Sequence, residues 1–173
     1  MPSILFVCTA NRFRSALAEA IFKKKLSYLE DAEDWRVESA GTWTEDGLPP
    51  MREALIEAEK RGLDISKHRS RHATRDLLAK FDLVLVMETG HKEALVTEFP
   101  ELSGRIFLLS EVGGGSPISI RDPYLDRVHA GHITNEIIQV LNKKFPVIYE
   151  YLRALNSPKD HSQLANDADG ETV

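Results

Sequence analysis

The chain has 173 residues, 42% of them hydrophobic and 28% charged, and its net charge is −5. This length and composition indicate one globular domain, and the negative charge argues against sequence-independent binding of nucleic acid. No apolar run approaches the roughly 20 residues that cross a bilayer, and no secretory signal is evident. Its single cysteine excludes an internal disulfide and fits a reducing compartment, so we expect a cytoplasmic protein with no membrane partner.

Apolar periodicity predicts strands and helices that alternate along the chain. Strands are expected at residues 4–8, 35–40, 81–87 and 106–109. Helices are expected at 15–28 and 51–61, in a short piece after Thr74, from a cap at Thr89 to just before Pro100, and from about 133 onward. Pro146 is expected to end or kink the last helix, which leaves a separate helical piece at 147–155.

This alternation predicts an α/β fold, a three-layer α/β/α arrangement with a four-stranded parallel sheet. Residues 1–155 form one predicted domain, and the polar, acidic residues 156–173 form a predicted disordered tail. Ligands of such sheets bind at the carboxyl ends of the strands, and the segment after the first strand lies at such an end. The glycines at 113–115 are predicted to form a flexible loop, because no dinucleotide-binding pattern follows a strand there.

A short polar segment joins the first strand to the first helix and carries Cys8 and Arg14. Successive loop N–H groups, and the unpaired N–H groups at a helix start, both favour a bound oxyanion. Arg14 adds a planar fork that suits two phosphate oxygens. The same dipoles and charge would favour the thiolate form of Cys8, the form that acts as a nucleophile. The stretch therefore predicts phosphate-transfer chemistry rather than a small buried cysteine.

The cysteine is followed after five residues by Arg-Ser, close to the amino terminus, with Asn11 three residues after the cysteine and Ala18-Glu19-Ala20 in the helix. In this pattern the chain resembles the low-molecular-weight protein tyrosine phosphatases over about residues 3–155, and arsenate reductases of the same fold share the pattern. The resemblance implies a phosphate-binding loop between the first strand and the first helix. The loop positions that accompany the nucleophile and the arginine are Thr9, Ala10, Asn11, Arg12, Phe13 and Ser15.

Phosphate-ester cleavage also needs an acid that protonates the leaving oxygen. In the family resembled, this acid lies in an Asp-Pro-Tyr sequence on the long loop before the last helix, and Asp122-Pro123-Tyr124 matches it. Proline favours an extended conformation of the preceding residue, which would hold the Asp122 carboxyl in one direction. An Asp-Pro pair alone is equally typical of a turn. The polar residues that support the loop in the family correspond to Asn11, Ser15, Ser39 and His68.

Departures from the family pattern cluster around the expected substrate pocket. Trp43 and Tyr124 are candidate walls that would stack on an aromatic substrate, although Trp43 fits the edge of a core equally well. Arg12 replaces a small or aliphatic residue near the pocket mouth, where it either attracts anionic groups or faces solvent. Phe13 replaces a second cysteine that many members use for a protective disulfide. Leu125 replaces a second aromatic residue, which leaves a preference for phosphotyrosine open.

We therefore expect a metal-independent phosphatase without a cofactor. Cys8 would attack, Arg14 and the loop amides would bind phosphate, and Asp122 would act as general acid and then base. Its partner would be a phosphorylated protein or a small phosphomonoester. Arsenate reduction with external thiols, phosphoarginine hydrolysis, phosphate binding without catalysis and flavodoxin-like cofactor binding stay open, and no oligomeric state is indicated. Three further side chains fit no metal-binding spacing and are predicted to hold no metal: His129, His132 and Asp126.

Overall fold

Strands and helices alternate as predicted in the structure, a computed structural model that describes residues 1–124 and 129–157. The strands are β1 Ser3–Cys8, β2 Arg36–Gly41, β3 Leu83–Val86 and β4 Ile106–Leu108. The α-helices are α1 Arg14–Leu26, α2 Arg52–Glu59, α3 Arg75–Leu78, α4 Thr89–Glu98 and α5 Ala130–Asn156. Short 3-10 segments lie at Ala32–Asp34 and Pro100–Arg105.

β1 lies inside the sheet, whose strand order is β2-β1-β3-β4 with every neighbouring pair parallel. All of β1 is buried, because helices cover both faces of the sheet. Ile4, Phe6 and Cys8 belong to a core shared with α1 and α5, whereas Leu5 and Val7 belong to a core shared with α3 and α4. The predicted three-layer α/β/α fold with a four-stranded parallel sheet is confirmed.

α5 is one helix of 27 residues with Pro146 inside it, so the predicted separate helical piece after Pro146 is wrong. Proline removes one backbone donor from the helix, which favours a break. Buried side chains on both sides oppose it: Ile137 and Leu141 before the proline and Ile148 after it pack in the same core. Burial of this continuous apolar face outweighs the missing hydrogen bond.

The carboxyl end of α5 reaches Asn156, one residue into the predicted tail. Residues 158–173 lie outside the described residues, so the disorder of the tail and the limits of the single domain stay predictions. Within residues 1–124 and 129–157, no helix combines the length and the apolar character that a membrane crossing requires.

The N-cap residue of α4 is Glu88, one residue before the predicted cap at Thr89, which is instead the first residue of the helix. The backbone N–H of Glu88 donates to Nδ1 of His91 at 3.2 Å. This side chain in the first turn satisfies a donor at the helix start, which makes a hydroxyl at Thr89 unnecessary as a cap. Since Glu88 follows β3 closely, the start of α4 lies at the same edge of the sheet as the end of β1.

A buried lysine ties the glycine run to α5. Lys144 is 7% exposed, and its Nζ donates to the carbonyl of Val112 at 2.9 Å and to that of Gly114 at 2.5 Å. Gly113 has a φ of 69° and Gly114 one of 90°, the left-handed region that favours glycine. The glycine run is therefore packed against α5, a contact that the prediction of a flexible loop did not anticipate.

Gly113→Ala is expected to lower the free energy of unfolding by about 3 kcal/mol. The added Cβ would overlap Cγ1 of Val147, and the backbone would keep an unfavourable positive φ. Gly114→Ala is the matched control, because its φ is also positive but no described atom lies within 4 Å of the new Cβ. We expect the control to cost about 1 kcal/mol in urea denaturation. Equal losses in the two variants would contradict close packing of the loop on α5.

Candidate active site

The loop between β1 and α1 encloses the carboxyl end of β1. Cys8, the last residue of the strand, is 2% exposed, and its Sγ lies 3.0 Å from Oγ of Ser15. The backbone N–H groups of Thr42 and Trp43 donate to the carbonyls of Cys8 and Thr9, at 2.9 and 3.0 Å. These bonds fasten the start of the loop to the chain that leaves β2. The sulfur is therefore held in one place beside a hydroxyl group.

The amino end of α1 points into this loop. Its N-cap residue is Phe13, whose apolar side chain cannot accept a hydrogen bond from the first turn. The backbone N–H groups at the start of α1 therefore suit an anion, as the sequence predicted. The ring of Phe13 is 4% exposed and belongs to the main core, so this substitution for a cysteine supports the loop by packing.

Asn11 is the centre of the hydrogen bonds that shape the loop. It is buried and has a φ of 55°, a conformation that asparagine tolerates better than most residues. Its Nδ2 donates to the hydroxyls of Ser15 and Ser39, both at 2.9 Å, and its Oδ1 accepts from the backbone N–H of Arg71 at 3.0 Å. His68 Nε2 donates to the carbonyl of Asn11 at 2.6 Å. The structure thus brings all four predicted supporting residues together.

Arg14 is 1% exposed, and its guanidinium is surrounded by oxygen acceptors. Nη1 donates to the carbonyl of Ile120 at 2.9 Å and lies 3.2 Å from Oε1 of Glu88. Nη2 donates to Oδ2 of Asp122 at 2.6 Å and to Oγ1 of Thr9 at 3.3 Å. Two carboxylates thus offset a buried cation and hold the plane of its fork.

Asp122, the candidate acid, lies against Arg14 although the two residues are 108 positions apart. Its second oxygen, Oδ1, accepts from the backbone N–H of Tyr124 at 2.8 Å, which makes a compact turn around Pro123. The backbone N–H of Ile120 donates to the carbonyl of Met87 at 2.7 Å and anchors this segment to the end of β3. The loop before α5 thus reaches the end of β1, as the prediction for Asp122 requires.

Two of the three predicted rim residues, Arg12 and Tyr124, contact the segment around Pro49 and Glu53. The Tyr124 hydroxyl donates to Oε2 of Glu53 at 2.8 Å, and its ring makes an edge-to-face contact with Phe13 at 6.3 Å between centroids. Burial, and then the hydrogen bond to the Glu53 carboxylate, raise the pKa of Tyr124, while the Arg12 charge opposes this. Arg12 Nε donates to the carbonyl of Pro49 at 2.7 Å, so part of its cation is engaged with the chain beside the loop.

Trp43 lies beside the loop and outside the core, so the alternative of a tryptophan at the edge of a core is wrong. Its backbone contacts the loop through the carbonyl of Thr9, but its side chain is 79% exposed. The side chain lines a cavity of about 320 Å³ with Thr44, Glu45 and His72. The exposed indole therefore borders a cavity, and its role as a wall of the substrate pocket stays a prediction.

Sequence reasoning missed several residues that contact the loop. His91 Nε2 lies 2.8 Å from Oγ1 of Thr9, and Glu88 pairs with Arg14. Burial, and next the Arg14 charge, lower the pKa of His91 to about 4, while the Asp122 charge opposes them. Glu19 accepts from the Ser39 hydroxyl at 2.5 Å. One signal for Glu88 was available, since it closely follows a buried parallel strand, and ligand-binding residues concentrate at that edge.

Two of the three residues predicted to bind no metal, His129 and His132, lie at the start of α5. His129 caps that helix by accepting from the backbone N–H of Gly131 at 3.1 Å. Asp126 and Leu125 lie outside the described residues. In the part of the chain that the structure describes, no three side chains of metal-ligating type are clustered.

Comparisons with known proteins agree with this arrangement. The family model described as low molecular weight phosphotyrosine protein phosphatase matches residues 3–157. A probable low molecular weight protein-tyrosine-phosphatase, EpsP of Ralstonia nicotianae, is 32% identical over 139 residues, which are 80% of this chain and 90% of that protein.

Solved structures give the same picture. The low molecular weight protein tyrosine phosphatase from T. tengcongensis superposes with a TM-score of 0.75 at 35% identity, covering 84% of this chain and 99% of that one. The YwlE arginine phosphatase from Geobacillus stearothermophilus superposes with a TM-score of 0.78 at 25% identity, covering 92% of this chain and 99% of that one.

Proposed function

The chain belongs to the low molecular weight phosphotyrosine protein phosphatase family, and we propose that it hydrolyses phosphotyrosine in proteins through a phosphocysteine intermediate on Cys8. The family resemblance read from the sequence is thus confirmed, and with it a metal-independent, cysteine-dependent phosphatase. One observation carries the proposed residue roles: Asp122, 108 positions further along the chain, lies against the loop that carries both Cys8 and Arg14. A cytoplasmic location is part of the proposal, because a lone reactive thiol stays reduced there.

In the first step the Cys8 thiolate attacks phosphorus, so an S–P bond forms and the ester P–O bond breaks. Arg14 and the N–H groups of the loop hold the three remaining oxygens, where negative charge is concentrated in the transition state. The electron pair of the broken bond goes to the leaving oxygen, which takes the proton of Asp122. Before binding, Asp122 pairs with Arg14, so an incoming phosphate competes with this carboxyl group for the guanidinium fork.

In the second step water attacks the phosphocysteine and Asp122 takes a proton from it. The P–S bond breaks and its electron pair returns to sulfur, which releases inorganic phosphate. Ser15 stabilises that thiolate: its oxygen accepts from Asn11, and its hydroxyl hydrogen, which can also reach the carbonyl of Ala40 at 3.4 Å, is donated to Sγ at 3.0 Å once the sulfur is negative. The supporting network thus acts on the nucleophile in both steps.

Phosphoarginine hydrolysis is the second candidate, because the YwlE arginine phosphatase shares the fold over 99% of its length. The rim charges bear on the choice. The charge of Arg12 acts on Tyr124 and would repel the cationic guanidino group of phosphoarginine, whereas the ring of Tyr124 offers a stacking partner to phosphotyrosine. We therefore place phosphotyrosine first. Arsenate reduction ranks below both, because the chain has one cysteine and would depend on external thiols.

The test is hydrolysis of p-nitrophenyl phosphate in the presence of a chelator from pH 4 to pH 8, beside Cys8→Ser. We expect turnover that survives the chelator and is abolished in the variant, because serine is a far weaker nucleophile at these pH values. Residual turnover by Cys8→Ser above one-thousandth of wild type would exclude Cys8 as the nucleophile. Peptides carrying phosphotyrosine or phosphoarginine then compete in one reaction, and faster loss of phosphoarginine would reverse the order of the two candidates.

A further inference from the structure

His91 is joined to the phosphate loop by a bond whose direction can be deduced. Its Nδ1 accepts from the backbone N–H of Glu88 at 3.2 Å, and a ring nitrogen that accepts carries no hydrogen. A neutral imidazole must then carry its hydrogen on Nε2, which lies 2.8 Å from Oγ1 of Thr9. His91 therefore donates to Thr9. Because the ring is 7% exposed, water competes little for this bond.

The same Thr9 oxygen also accepts from Nη2 of Arg14 at 3.3 Å. A hydroxyl oxygen has two acceptor sites, so His91 and Arg14 together use both and leave one orientation for the side chain. The same Nη2 donates to Asp122, so Thr9 helps to orient the guanidinium group that is proposed to bind phosphate.

We propose that His91 is a positioning residue of the phosphate site: it holds Thr9, and through Thr9 the guanidinium plane of Arg14, in the orientation that binds phosphoryl oxygens. The inference rests on the proposed function of the loop as a phosphate site. It assigns a role to the first turn of α4, whose N-cap residue Glu88 already pairs with Arg14. His91 touches neither substrate nor sulfur in this account and acts only through Thr9.

The groups around His91 favour its neutral form. Arg14 of α1 repels a protonated His91. Two carboxylates would attract it: Asp122, on the loop before α5, and Glu88, whose Oε2 lies 3.5 Å from Nε2 of His91. Burial and Arg14 prevail, and a proton on Nδ1 would also face the backbone N–H of Glu88. The folded pKa of about 4 lies below the ordinary 6.5, so stability from neutral His91 is complete above about pH 6.5 and is lost as the pH falls toward 4.

Two substitutions at His91 separate its two bonds. His91→Gln keeps a donor near the position of Nε2, and His91→Asn keeps only an acceptor near Nδ1, too short to reach Thr9. We expect His91→Asn to lower kcat/KM about tenfold and to weaken binding of inorganic phosphate to a similar degree, with His91→Gln recovering most of both. Thr9→Val should reproduce the loss of phosphate affinity. The double variant of Thr9→Val and His91→Asn should be no worse than either single variant, because both substitutions remove the same bond between His91 and Thr9.

Each outcome decides for or against positioning by His91. Wild-type affinity for phosphate in His91→Asn, failure of His91→Gln to recover it, or losses that multiply in the double variant would overturn the inference. Phosphate affinity is measured by calorimetry, so it reports on Thr9 and Arg14 even if the protein turned over no ester. The proposed phosphatase function is tested separately, by hydrolysis of p-nitrophenyl phosphate with the wild type and Cys8→Ser. Thermal unfolding at pH 7 and at pH 5 identifies any variant that has lost its fold, and Thr9→Val tests the same bond from the other side.

Discussion

Arg14→Lys is expected to lower kcat/KM for p-nitrophenyl phosphate by about 10³-fold. The guanidinium is 1% exposed and is directed by acceptors on Ile120, Glu88, Asp122 and Thr9. Lysine keeps the charge but replaces a planar fork with a single ammonium, which cannot hold two phosphoryl oxygens while it keeps these partners. The loss should therefore appear in transition-state binding rather than in the fold.

Steady-state kinetics of Arg14→Lys measure this loss, and Arg75→Lys is its control. Arg75 carries the same change on the surface, where its side chain is 59% exposed and pairs with Glu101. We expect the control to stay within twofold of wild type, as is usual for an exposed ion pair. If Arg14→Lys kept kcat/KM within tenfold of wild type, the bidentate role of Arg14 would be wrong.

Asp122→Asn is expected to slow phenyl phosphate about 10²-fold in kcat/KM and p-nitrophenyl phosphate by less than tenfold. Phenolate is a poor leaving group that needs a proton, whereas nitrophenolate leaves readily without one. Asparagine keeps an oxygen for the backbone N–H of Tyr124, so the turn that places residue 122 is retained. kcat/KM is the quantity to compare, because it reports formation of the phosphocysteine and excludes its hydrolysis.

Two measurements complete the test of Asp122. A rapid burst of nitrophenol followed by slow turnover is expected in the variant, because the general base for the second step is lost as well. Equal slowing of the two esters would remove Asp122 from the role of acid. Pro123→Ala is a useful comparison: it keeps the carboxyl but frees its direction, so we expect an intermediate loss with the same leaving-group trend.

Local patterns in the sequence determined the fold class and the centre of the candidate site. The apolar run of β1, the polar loop and the helical spacing of α1 occupy consecutive residues, so they place Cys8 and Arg14 at a strand end and a helix start. Hydrogen bonds within the chain segment, such as Asn11 to Ser15, act over the same short range. The family resemblance added Ser39, His68 and Asp122 from distant segments, and the structure brings them to the loop.

Features that depend on the packing of elements distant in sequence became visible only in the tertiary structure. Pro146 stays inside α5 because core contacts on both sides outweigh a local breaking tendency, and Gly113 is required because Val147 lies against it. The side chain of Trp43 is exposed instead of lying at the edge of a core, which no pattern in its own segment foretells. Glu88 and His91 show the physical reason most clearly. In sequence they cap a helix, and only the parallel pairing of β1 with β3 brings that helix end to the side chains of Thr9 and Arg14.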